Sequence, residues 1–399
     1  MQGVREEPAA GAHRPALPKL LGYAPGVRIG RFSVAPATIC AAGIVVFALA
    51  LRMLLNALGW PPNDGDEGTM GILALHIAYG GAHPIYFYGQ AYMGTLEGYL
   101  GATFFHLFGA SVFTLRLGPV LLYIVFLACM YLLARLLYTT SIALIALLLL
   151  SLGTQEMLFR QLEAAGGYAE TLVFGAATLL LASWLALRPH VRIGDAHETR
   201  RRRLAYFGWG LAAGLGLWSD VLVLPFLVTS AALLFLFRWR DLRGRTGLLA
   251  LAGLLLGALP VILHDLTSPL DQSAFAVAWQ LGHQGGVSDP SLVAGGALGT
   301  LMVSLPNILG ATATCPIRIR DAWPISSHAL GCAAIRTGWG AGYLVLLALA
   351  MYAALRALVP LFRRLHRACG TEEERHEAAL HAARLAILAA GALTLAAYV

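Results

Sequence analysis

Residues 33–67 read SVAPATICAAGIVVFALALRMLLNALGWPPNDGDE. The segment 33–58 is apolar apart from Arg52 and exceeds the roughly 20 residues a helix needs to cross a bilayer. Directly after it, Asp64, Asp66 and Glu67 place three carboxylates in a tight Pro/Gly turn. The rest of the chain has the same character. Of 399 residues 58% are hydrophobic and only 12% charged, and the mean hydropathy is +0.70. Soluble domains carry roughly a quarter charged residues, and disorder needs low hydrophobicity. Both classes are excluded, and the fold class is an all-α polytopic membrane protein.

Nine spans are expected, near 33–58, 113–137, 141–157, 168–187, 204–218, 221–237, 246–264, 339–358 and 384–399. Residues 1–32 form a Pro/Ala/Arg tail without the short apolar run and cleavage site of a signal peptide. The transmembrane domain is therefore expected over 33–399, with the tail cytoplasmic. With that orientation the inner segments collect 22 Lys/Arg against nine acids, and the outer ones five Arg against twelve Asp/Glu. This is the asymmetry of the positive-inside rule. The net charge of +7 comes from 27 Arg and the single Lys19, mostly in short runs between spans. It therefore implies no nucleic-acid partner.

Residues 92–108 test this topology. Read as a span, they would invert everything downstream and place Arg200, Arg201, Arg202 and Arg203 outside. Met93, Leu96, Leu100, Phe104 and Leu107 recur at three and four residues, while Glu97 and His106 interrupt the run, as in a helix lying in the membrane plane. With a second such segment at 69–79, residues 59–112 become one long outer loop carrying two interfacial helices. A second outer loop is expected over 265–338. Cys315 and Cys332 both fall there, and either pair as a disulfide in an oxidising compartment or remain as two thiols. Pro119, Pro225 and Pro260 are expected inside spans.

Several chemistries fit the acidic turn. Clustered carboxylates raise one another's pKa, and one of them can serve as general base toward a hydroxyl. Asp64 and Asp66 can ligate a divalent cation such as Mg²⁺ or Mn²⁺. The same residues also suit a solvated turn that caps the next helix. Arg116 and Arg160, at the outer edges of spans, offer guanidinium forks to a phosphate or snorkel to lipid headgroups. Gln90, Tyr92 and Glu97 stand at the start of the second interfacial helix, where a substrate groove is expected.

The segments Asp66-Glu67-Gly68-Thr69-Met70-Gly71, His83-Pro84, Tyr86-Phe87-Tyr88-Gly89-Gln90 and Phe108-Gly109-Ala110-Ser111, then Leu115-Arg116-Leu117, form a longer pattern. It resembles the first outer loop of type C (GT-C) membrane glycosyltransferases. Within that group it is similar to glycosyltransferase family 39 and to the protein mannosyltransferase and aminoarabinose transferase enzymes. The likeness continues through Phe159-Arg160 and Glu170-Thr171-Leu172 and covers about residues 35–240. It implies a GT-C-like helical bundle moving a sugar from a polyprenyl-phosphate donor to a hydroxyl on a glycan, lipid or protein, at the outer face of a membrane. The resemblance assigns catalysis to Asp66, with Glu67 beside it. It also assigns Glu170, where the family usually carries Asp. Asp64, Arg116, Arg160, Gln90, Tyr92 and Glu97 are expected to contact substrate. A transporter or flippase of lipid-linked saccharides, or an inactive scaffold of the same fold, are the alternatives. The overwhelming use of Arg suggests a GC-rich genome and hence a bacterial inner membrane.

Overall fold

The computed structural model describes residues 27–29, 32–34, 36–189, 196–274, 276–277, 279–280, 290–311, 330–366 and 371–397. Most of the tail expected over 1–32 therefore lies outside the described residues. A short antiparallel ribbon of β1 (Val27–Ile29) and β2 (Phe32–Val34) precedes the first long helix, α1 (Pro36–Ala57).

The first loop is a folded unit. It contains α2 (Gly65–Gly80), a hairpin of β3 (Tyr86–Phe87) and β4 (Gln90–Gly94), and α3 (Leu96–Phe108). Two interfacial helices were expected here, and two are present. The segment 92–95, expected to be helical, instead completes β4 and the cap of α3, because the chain pairs back on Tyr86 and Phe87. The apolar face of α2 (Met70, Leu73, Ala74) meets Phe87, Met93, Phe105, Leu115 and Ala164 in one buried cluster. Burying these side chains away from water and lipid headgroups fixes the loop on the bundle.

A short helix α4 (Val112–Leu115) leads through Arg116 into α5 (Leu117–Leu137). Then follow α6 (Thr140–Leu152), α7 (Gln155–Leu162), α8 (Tyr168–Leu187), α9 (Ala196–Ser219), α10 (Leu224–Leu242), α11 (Arg245–Gly257) and α12 (Leu259–Thr267). The second loop contributes α13 (Pro290–Gly299), a π-helical turn over Thr300–Ser304 and α14 (Leu305–Ile308). The last two helices are α15 (Leu330–His366) and α16 (Glu372–Ala397).

Among the described residues six helices are long and apolar enough to cross a membrane. They rise to eight if α6 with α7 and α11 with α12 each count as one bent span. The chain is thus a polytopic helical membrane protein. The expected span 204–218 lies within α9, which falls outside that count. Two other expectations need correction. The span expected over 141–157 ends at Leu152, and α7 turns away by 75°. Thr154 caps the new helix by accepting from the Met157 N–H, which favours a restart over continuation. The span expected over 246–264 bends by 59° between Gly257 and Leu259, where Pro260 occupies the first turn of α12. Pro225 likewise opens α10, and Pro119 falls in the first turn of α5. At a helix start proline removes no intrahelical hydrogen bond.

Buried or half-buried arginines secure several helix ends. Arg52, fully enclosed in α1, donates to Ser151 O (2.6 Å), Gln161 Oε1 (2.6 Å) and Tyr123 Oη (2.8 Å), and stands over the Tyr123 ring. It thereby caps the carbonyl end of α6 and ties it to α7. Arg238 donates to Leu185 O, Ala186 O and Arg188 O at the end of α8. Arg384 donates to Leu137 O at the end of α5. A cation at a helix C-terminus satisfies free carbonyls and opposes the negative end of the dipole. Cys332, in α15, is disulfide-bonded; Cys315, its expected partner, lies outside the described residues.

Helices α9 and α11 pack backbone to backbone. Gly210 and Gly214 on one face Gly253 and Gly257 on the other, so a Cβ at Gly210 would collide with Ala250 O and one at Gly214 with Leu254 O. Small residues four apart permit such approach between membrane helices. Gly214→Leu is expected to destabilise the bundle by at least about 2 kcal/mol through overpacking. Gly43→Leu, where a Cβ meets nothing within 4 Å, should be nearly neutral. Thermal unfolding of the purified protein in detergent distinguishes the two.

Candidate functional site

The acids of the opening turn go separate ways once α2 begins. Asp64 is the N-cap and accepts the Glu67 N–H at 2.9 Å. Asp66 and Glu67 occupy the first helical turn, where the dipole favours negative charge. Glu67 turns inward and is 2% exposed. Arg116 grips both of its oxygens, Nε to Oε1 at 2.7 Å and Nη2 to Oε2 at 2.6 Å. The same guanidinium donates to Pro61 O (2.7 Å) and Asn63 Oδ1 (3.1 Å). Arg116 was expected to face a phosphate. The structure instead encloses it at 1% exposure and commits it to Glu67 and the turn before α2, because a buried carboxylate needs a paired, hydrogen-bonded cation.

The end of α7 and the connection to α8, residues 161–167, are buried throughout. Ala164 N–H donates to Glu67 Oε1 (3.3 Å) and Gly166 N–H to Glu97 Oε2 (2.9 Å). Gly166 and Gly167 adopt φ of 80° and 76°, a left-handed backbone that side-chain-bearing residues seldom adopt. A Cβ on Gly167 would also lie 2.6 Å from Asp220 Oδ2. Two carboxylates of the first loop thus hold the backbone of this second connection.

Glu97 and Glu170 were expected to line a groove and to share in catalysis. Both are enclosed, at 1% and 0% exposure, and Glu97 N–H donates to Glu170 Oε1 (3.3 Å). Burial, and then the charge of Glu170, pushes the Glu97 carboxyl well above the usual range. Neither side chain reaches the surface; together they join the first loop to the connection before α8 and to α8 itself.

The residues that do face outward are fewer. Asp66 is exposed, and among the described residues no hydrogen bond or ion pair engages its carboxylate. Tyr92 donates to Gln90 Oε1 at 2.8 Å. Its phenol is pushed up by burial and then by Asp220, Tyr168 and Asp66, which places it among those groups. Arg160 is 46% exposed, lies 3.2 Å from Glu163 and 3.4 Å from Glu156, and stands over the Tyr168 ring at 5.1 Å.

Glu163 was missed by sequence reasoning. It is buried beside Asp64 and Arg160. Burial, then Asp64, pushes its carboxyl up to about 8. The hydrogen bond from Glu163 holds Asp64 below the ordinary carboxylate range. An acid followed by Ala-Ala-Gly-Gly was the one available signal, since a carboxylate in a small-residue loop has no local partner.

Among the described residues no three His, Cys, Asp or Glu side chains converge as metal ligands. Asp64, expected with Asp66 to take Mg²⁺ or Mn²⁺, is already engaged by the Glu67 N–H and Glu163. These two carboxylates alone do not fit a closed divalent site.

No protein-family model matches the chain, and no curated protein matches it in sequence. Two solved structures align with it. The apo oligosaccharyltransferase of Archaeoglobus fulgidus is 16% identical, with a TM-score of 0.49, over 88% of this chain and 50% of that one. The archaeal oligosaccharyltransferase of the same organism in complex with an inhibitory peptide and a dolichol-phosphate is 15% identical, with a TM-score of 0.40, over 87% and 50%. The chain spans about half the length of each.

Breaking the Glu67–Arg116 pair from one side strands a buried charge, which costs about 3–5 kcal/mol. Arg116→Met is expected to lower thermal stability accordingly. Glu67→Gln combined with Arg116→Met should recover part of the loss, as a double-mutant cycle in detergent would read.

Proposed function

We propose that this chain is a membrane glycosyltransferase that moves a sugar from a polyprenyl-phosphate carrier to a hydroxyl acceptor on the outer face of the membrane, with Asp66 as its base. The observation that carries this reading is the division of roles within one turn. Asp64 caps the helix and binds Glu163, Glu67 binds Arg116, and Asp66 alone is left exposed and uncommitted. The acid-rich end of the bundle carries this turn. Arg188, Arg202, Arg238 and Arg384 mark the other end, and a cytoplasmic assignment for them follows the positive-inside rule.

In the proposed reaction Asp66 takes the proton of the acceptor hydroxyl while that oxygen attacks the anomeric carbon. The carbon–oxygen bond to the carrier phosphate breaks, and the polyprenyl phosphate leaves with the bonding pair. A single displacement inverts the anomeric configuration. Arg160, half exposed at the same end, is suited to the charge developing on the phosphate. Tyr92 and Gln90 are placed to hold the sugar or acceptor. Glu67, Glu97, Glu170 and Arg116 serve as the frame that sets these groups. No step requires a metal. The acceptor class and the donor sugar are open within this proposal.

The transporter reading relies on ionisable residues inside spans. Arg52 has such a position, and it caps helix carbonyls. That use favours a structural role over transport.

Asp66→Asn is expected to lower transfer by about 10²–10⁴-fold, the usual share of a general base, with little change in thermal stability. Membranes carrying the variant would be assayed with radiolabelled polyprenyl-phosphate sugars. Wild-type rates in the variant would refute the assignment of Asp66.

A further inference from the structure

The residues between the first loop and the second connection meet through acids facing acids. Asp64 faces Glu163, and Glu97 faces Glu170. All but Asp64 are buried, at 3%, 1% and 0% exposure. Glu163 Oε1 and Glu170 Oε2 lie inside the protein, and no N–H or hydroxyl donor reaches either atom. Two neighbouring carboxylates repel, the more so where one or both are buried, and an unsatisfied buried oxygen is costly. One proton on each pair resolves both problems, because a protonated carboxyl becomes a donor.

We propose that Glu163 and Glu97 are positioning residues that each carry a proton and donate it in a hydrogen bond to Asp64 and Glu170, so that two shared protons clasp the second connection onto the first loop. The surrounding charges permit it. Glu163 is faced by Asp64 and Glu67 from α2 and by Arg160 from α7. Glu67 is already neutralised by Arg116, and Arg160 is shared with Glu156. Glu97 is faced by Glu170 from α8 and, more distantly, by Glu163, with Asp220 acting on Glu170. Among the described residues neither Glu97 nor Glu170 has an ion-pair partner.

The pH dependence follows from the direction of the shift. Glu163 titrates higher in the folded chain than when unfolded, so its contribution is complete below the ordinary carboxylate value and is lost as pH rises through about 8. Asp64 is shifted the other way, and its contribution fades only in strong acid. The clasp therefore holds at neutral pH and loosens in mild alkali. For a group titrating near 8, the opening constant rises about tenfold between about pH 7 and about pH 9.

Infrared difference spectroscopy of the full chain in lipid discs tests this without any sugar transfer. At neutral pH protonated-carboxyl absorption with two components is expected: one that titrates near 8 and is absent in Glu163→Gln, and one that survives in that variant and is absent in Glu97→Gln. The amide of Glu163→Gln donates to Asp64 without titrating. Protease cleavage within 161–170 should speed about tenfold from pH 7 to 9 in the wild type and stay flat in Glu163→Gln. If Glu163→Gln does not fold, Asp64→Asn replaces it and should move the first component's titration downward by removing the facing charge. The absence of protonated-carboxyl absorption at neutral pH, a first component unchanged in Glu163→Gln or Asp64→Asn, or a second unchanged in Glu97→Gln, would overturn the proposal. Equal alkaline cleavage in the wild type and Glu163→Gln would do the same. The result is independent of the glycosyltransferase reading, which stands or falls on Asp66.

Discussion

The two-pronged contact between Arg116 and Glu67 joins three parts of the chain that are far apart in sequence. Arg116 stands where α4 passes into α5, Glu67 in the first turn of α2, and Ala164 on the connection before α8. If either charge is removed, the start of α2 loses its tether to the bundle, and if Glu67 is the one lost the second connection also loses a hydrogen-bond acceptor. A fork with two parallel N–H···O bonds also fixes orientation, which a lysine point charge would not do. The position of Asp66 is set by this contact, because it is the residue before Glu67 on the same helical turn.

Arginine has a second, quieter use here. The chain has 27 arginines and one lysine, and Arg52, Arg238 and Arg384 each close the carbonyl end of a neighbouring helix. A planar guanidinium can reach several carbonyls that a broken or ending helix leaves open, in surroundings where no water can do so. Arg52 shows why this matters for the site. By holding Ser151 O and Gln161 together it fixes the angle between α6 and α7, and α7 carries Arg160 and leads into Glu163.

Much of this architecture was legible in the sequence, since apolar length and arginine distribution are local properties. Most of the expected spans coincide with long helices, and the pair of helices in the first loop is present, because periodic apolar residues such as Met70, Leu73 and Ala74 report their own buried face. The roles inside the site were less legible. Asp66 and Glu67 are adjacent acids of one turn, and only the position of Arg116, 49 residues on from Glu67, separates them. Glu97 and Glu170 look like surface acids in sequence, yet they meet across 73 residues in the interior. Pairings over such distances leave no periodic trace. The glycine seam of α9 and α11 was readable in principle, as Gly210/Gly214 and Gly253/Gly257 share one spacing. The helix breaks at Gly153 and Pro260 were readable only as punctuation.

Those breaks have a bearing on the surrounding bilayer. Helices α6 and α11 are each 13 residues long, a rise of about 20 Å against a hydrocarbon layer of about 30 Å. Neither helix alone spans that layer, so the crossing is completed by the bent segments α7 and α12 or by a bilayer drawn thinner beside them.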